Sequence, residues 1–118
     1  MSDAQQKLDL YLQGWEELDA DKVIASLDES FTYIDPSMPA PITKDMMRDY
    51  MNQWAARSAA LGGTGELSLS HTVTQAQEGE LLSWTWWSFD GTEVQGAALI
   101  KAASSGVLFE KIAFYKAP

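Results

Sequence analysis

A change of hydrophobic period near Gly65 constrains this chain more than any other feature. Before it, Leu8, Tyr11, Leu12, Trp15 and Leu18 recur at spacings of three and four, as do Met47, Tyr50, Met51, Trp54 and Leu61. Such spacing puts each set on one face of a helix. After it, "ELSLSHTVTQAQ", "ELLSWTWWSF", "TEVQGAALIKAA" and "VLFEKIAFYK" alternate, separated by "EG", "DG" and "SSG". Alternating runs divided by glycine turns predict a four-strand antiparallel meander. Asp90-Gly91 reads as a two-residue hairpin turn, because both positions tolerate positive φ. Between the two helical patterns, "DADKVIASLDES" predicts a short helix with Val23, Ile24 and Leu27 inward. "FTYI" then predicts a short strand, stopped by Asp35-Pro36.

Local signals refine these segments. Ser2 with Gln5 forms a capping box before the first helix. Gly14 interrupts that helix where another element can approach closely. Thr43 is positioned to cap the third helix, which runs to a Gly62-Gly63 stop. Helices segregated from an antiparallel sheet predict an α+β fold, one domain over residues 1–118. A twisted sheet of this size curls, and helices against its concave side enclose an apolar cavity.

Composition removes several function classes. With 8 basic against 17 acidic residues and a net charge of −9, the chain lacks the basic footprint that nucleic acid or an anionic membrane surface requires. It has no cysteine and one histidine, so no disulfide, metal site or cofactor is expected. The start, "MSDAQQKLDL", has neither the basic nor the apolar region of a signal peptide, and the expected location is cytoplasmic. Five Trp, four Tyr and four Phe predict a ring-walled core or pocket.

The order of elements, together with "YLQGWEELDADKVIASLDESFTYIDP", resembles the NTF2-like cone fold. Within it, the chain is similar to ketosteroid isomerases and SnoaL-like polyketide cyclases. The resemblance implies three N-terminal helices packed on a curved, mostly antiparallel sheet. It also implies that Asp35, before its proline, is a general base and that Tyr11 is an oxyanion donor. "MMRDY" matches a third-helix stretch of those enzymes and makes Tyr50 a cavity wall. Ala98 stands where the isomerases hold a second, protonated acid, and no carboxyl group is read nearby on that face.

The residues themselves leave alternatives open. Phe31, Tyr33 and Asp35 share a face, so Asp35 is either a desolvated base between rings or a turn acid. Tyr11 is either a ligand donor or a core phenol. Trp84 and Trp86, counted from the "EG" turn, point inward; Trp87 and Phe89 then point outward, and a homodimer partner covers them. His71 shares a face with Leu67, Leu69 and Val73, either as core or as an acid–base group. The candidate site is therefore Asp35 and Tyr11 for chemistry, with Tyr33, Tyr50, Trp54, Trp84, Trp86 and His71 against a small hydrophobic, carbonyl-bearing molecule. A non-catalytic ligand-binding protein and a dimerising module are the rival readings.

Overall fold

In a computed structural model, which describes residues 3–116, α1 (Asp3–Glu17) and α2 (Ala20–Ala25) lead into strand β1 (Leu27–Ile34). A two-residue strand β2 (Ile42–Thr43) and a 3-10 turn (Lys44–Met46) precede α3 (Met47–Ala60). The meander follows as β3 (Leu67–Gln77), β4 (Glu80–Phe89), β5 (Gln95–Ala103) and β6 (Gly106–Lys116). One six-stranded sheet results, in the order β2-β1-β6-β5-β4-β3. Every pairing is antiparallel except β1 with β6, which is parallel. The fold is the expected α+β arrangement of N-terminal helices on a curved, mostly antiparallel sheet.

The helices form where the apolar stripes predicted them. Leu8, Tyr11, Leu12 and Trp15 of α1 are buried, as are Met47, Tyr50, Met51 and Trp54 of α3. Leu61, expected on that stripe, is exposed just beyond the helix end. The glycine stop operates as read: the Gly63 N–H donates to the Ser58 carbonyl at 2.8 Å. Gly14 is the close-approach point, since a Cβ there would sit 2.7 Å from Val23 Cγ2. The Ser2 half of the capping box lies outside the described residues.

Three local readings change. Residues 27–30 belong to β1 rather than to the second helix, because Leu27 pairs with Val107 across the parallel ladder. Thr43 precedes the 3-10 turn and makes no side-chain bond to a helical N–H; its hydroxyl donates to Asp45. The Asp90-Gly91 turn is longer than two residues, since the Phe89 N–H donates to the Val94 carbonyl at 3.1 Å around it.

The largest correction is the facing of β4. Ser83, Thr85, Trp87 and Phe89 are buried against the helices, whereas Trp84 and Trp86 are 49% and 43% exposed on the outer face. Counting from the "EG" turn fails because the β3–β4 register shifts between Gln75 and Gln77. One residue of slip exchanges the two faces of a strand. Lys101 carries the signal that would have fixed the facing. It pairs with Leu82, in line with Leu99 opposite Trp84 and Ala97 opposite Trp86. A lysine needs water, so that row must face out.

Candidate active site

Two buried carboxyl groups organise the interior, and sequence reading found one of them. Asp35 ends β1 with 4% of its surface exposed. Its Oδ1 accepts from the Ser37 N–H at 2.8 Å and the Ser37 hydroxyl at 2.7 Å. Its Oδ2 accepts from the Tyr50 hydroxyl at 2.6 Å. The bond to Ser37 N–H is the Asx turn that a residue pair around Pro36 favours. Asp35 lines a small recess of about 10 Å³ with Ser37, Met38, Tyr50, Gln53, Trp54 and Arg57. Burial and the Asp35 bond both push the Tyr50 phenol well above its ordinary value.

Glu110 is the other carboxyl group, on β6 with 5% of its surface exposed. Tyr11 donates its hydroxyl to Glu110 Oε1 in a short hydrogen bond. Among the described residues no ion pair involves this carboxyl, and burial pushes its pKa up to about 8, with the Tyr11 bond pulling it back. Desolvation and then Glu110 itself raise the phenols of Tyr11 and Tyr33. A carboxylic acid kept neutral near pH 7 has a hydroxyl to donate.

Sequence reasoning missed Glu110, and the reading that no carboxyl group neighbours Ala98 is corrected. Glu110 pairs with Ile100 on β5, two residues along from Ala98 on the same buried face. Strand alternation could have found it. Glu110 and Ile112 form one row, and Phe109 and Lys111 the other, whose exposed lysine stands over the Phe109 ring. The placement of Lys111 in water sends Glu110 inward.

Between α1, α3 and the sheet lies a cavity of about 20 Å³ that Glu110, Trp15, Tyr33, Trp54, Thr85 and Trp87 line among aliphatic side chains. That volume holds roughly one water. Tyr33 and Tyr50 stack obliquely with ring centres 4.9 Å apart, and Trp15 lies 5.9 Å from Tyr33. Rings thus stand between the Asp35 recess and the Glu110 cavity.

Of the expected site residues, the structure gathers Tyr33 and Trp54 at this cavity and Tyr11 behind it through Glu110. Tyr50 joins Asp35 instead. Trp84 and Trp86 are on the opposite side of the sheet, and they cannot wall the cavity. His71 is exposed, although its partner Thr85 is buried, because it sits on the edge strand. Among the described residues no group of three or more histidine, cysteine or acidic side chains could hold a metal ion, and no helix is long and apolar enough to cross a membrane.

No protein-family model matches the chain. No match is found among curated proteins either. Solved structures do match. An NTF2-like protein from Anabaena variabilis aligns with a TM-score of 0.67 at 15% identity, covering 98% of this chain and 88% of that one. The fold is NTF2-like. A ketosteroid isomerase-like protein from Erwinia carotovora atroseptica aligns with a TM-score of 0.63 at 14% identity, over 97% and 95% of the two chains. An epoxide hydrolase from M. tuberculosis, described as LEH-like, aligns with a TM-score of 0.61 at 13% identity, over 95% and 78%. The NTF2-like fold is thus common to neighbours described by different activities, and fold alone selects none of them.

Proposed function

We propose that this protein binds a small apolar molecule carrying an acceptor oxygen, with Glu110 as the acid that polarises that oxygen. The supporting observation is the carboxyl group itself. Glu110 presents one oxygen to Tyr11 and lines a cavity whose walls are mostly carbon. A buried acid without a cation is costly to the fold, and such groups concentrate at functional sites. The neutral carboxyl donates from Oε2 to a carbonyl-type oxygen, while Tyr11 holds Oε1 and fixes the orientation. As negative charge develops on the ligand oxygen, that donor strengthens its bond, which is the basis of isomerase- and cyclase-type acid assistance. Asp35 already accepts three hydrogen bonds. In this reading it positions Tyr50 and the wall of the cavity rather than abstracting a proton.

Because the cavity is water-sized, entry of the molecule displaces rings. The yielding wall is the edge strand β3, where Leu69 and Val73 are only half-buried. The test uses 2-decalone as probe, followed by tryptophan fluorescence and calorimetry. Binding should weaken as pH rises through about 8 and become independent of pH in Glu110→Gln. Absence of millimolar binding at pH 6, or the same pH profile in both proteins, would overturn the reading.

The outer sheet face favours a second, compatible role in self-assembly. Trp84, Trp86 and Tyr115 are exposed there, with Ala97 and Leu99 between them. Two charges at its margin are paired, Lys101 with Glu80 at 3.1 Å and Lys116 with Glu93 at 3.9 Å, while exposed Lys111 stands opposite Leu99. An apolar patch of this kind is covered when a two-fold axis pairs it with its own copy.

A further inference from the structure

Trp87 has a buried indole N–H that no group among the described residues accepts. Trp87 is buried, lines the Glu110 cavity, and its Nε1 has no hydrogen-bond partner. Its ring neighbours are Phe114, Phe89 and Trp54, with centres at 5.6, 5.9 and 6.4 Å, all met near edge-on. The Nε1 of Trp15, which lines the same cavity, has no hydrogen-bond partner either.

Phenylalanine would keep the ring contacts at position 87 and remove the orphaned donor. The indole packs closely on the next strand: a Cβ on Gly96 would meet the Ala113 carbonyl oxygen at 2.1 Å and Trp87 Cζ2 at 2.6 Å. Leaving a buried N–H unpaired is unfavourable, and native structures seldom do so without use. The cavity therefore has polar groups at separate places on its wall, Glu110 on β6 and unpartnered indole donors on Trp87 of β4 and Trp15 of α1.

We propose that Trp87 Nε1 donates to a second acceptor oxygen of the bound molecule, so that the ligand is an apolar skeleton with oxygens at both ends. Diketones, keto-esters and lactone-ketones belong to this class; hydrocarbons with one oxygen satisfy half the site. The inference rests on the cavity reading of Glu110 and deepens it. A site that hydrogen-bonds a ligand group rejects the analogue lacking it, because its own donor is then left unpaired.

The test compares 2-decalone with decalin-2,6-dione, which share a skeleton and differ by one carbonyl. Wild-type protein should bind the dione at least about tenfold more tightly, and Trp87→Phe should abolish that preference. On native protein labelled at the indole nitrogens, the Trp87 Nε1 proton should shift downfield with the dione and stay in place with the mono-ketone. That measurement decides the matter if Trp87→Phe fails to fold. Equal affinities with an unmoved Trp87 proton would overturn the inference and leave the Glu110 reading standing. Binding of neither probe would defeat both.

Discussion

Raising the pH from 5 to 8 should destabilise this protein, against the direction expected of an acidic chain whose carboxylates are salt-bridged. Glu110 titrates near 8 in the folded state and in the ordinary carboxylate range, 4.5, when unfolded. Between those values the folded protein holds a proton that the unfolded chain has released. Stability therefore falls with pH across that window, by up to about 1.4 kcal/mol per unit, and levels off above it. The full window of 8 minus 4.5 corresponds to a loss on the order of 5 kcal/mol, a large part of a small domain's stability. Glu110→Gln supplies the control, since the amide keeps the shape and cannot ionise. Urea unfolding at half-unit pH steps should give curves for the two proteins that lie close near pH 5 and diverge toward pH 8, the variant being the more stable. The difference cancels every other titrating group. Parallel curves, or a wild type that gains stability over this range, would refute the assignment of a neutral buried Glu110.

Two further substitutions test packing and assembly. Gly14→Ala should destabilise by about 1–3 kcal/mol in urea titrations, since its methyl group meets the Val23 backbone nitrogen at 2.8 Å as well as its side chain. Trp86→Glu should convert a concentration-dependent dimer into a monomer in sedimentation runs while leaving the thermal midpoint of the monomer nearly unchanged. A monomeric wild type would remove the outer face from consideration.

The fold was legible because two periods are cleanly separated along the chain. Helical stripes through Trp15 and Trp54 needed an apolar surface to pack on, and the glycine-punctuated strands supplied one. What stayed hidden were relations between strands. The parallel pairing of β1 with β6 brings Tyr33 beside Glu110, a partnership with no local signal. Register was the second loss: the shift near Gln75 reversed the facing of four aromatic residues at once. Asp35 and Tyr50 were found because Asp-Pro and a helical stripe are local patterns. Glu110 was not, because its meaning depends on which face a lysine one residue later occupies.

The parallel seam also dictates when the protein can be finished during synthesis. Tyr11 and Glu110, joined by a hydrogen bond, are separated by 99 positions. The helices and β1 leave the ribosome first, with the edge of β1 that will receive β6 still bare. Strands β3 to β5 can form hairpins locally, yet they reach β1 only through β6. The emerging chain therefore carries an unfilled slot until residues 106–116 arrive to dock between its two halves. Contacts this distant close slowly, and an open strand edge invites pairing with other chains in the meantime. A ribosome stalled before β6 would hold two partial structures, and the final eleven-residue strand acts as the keystone that makes them one.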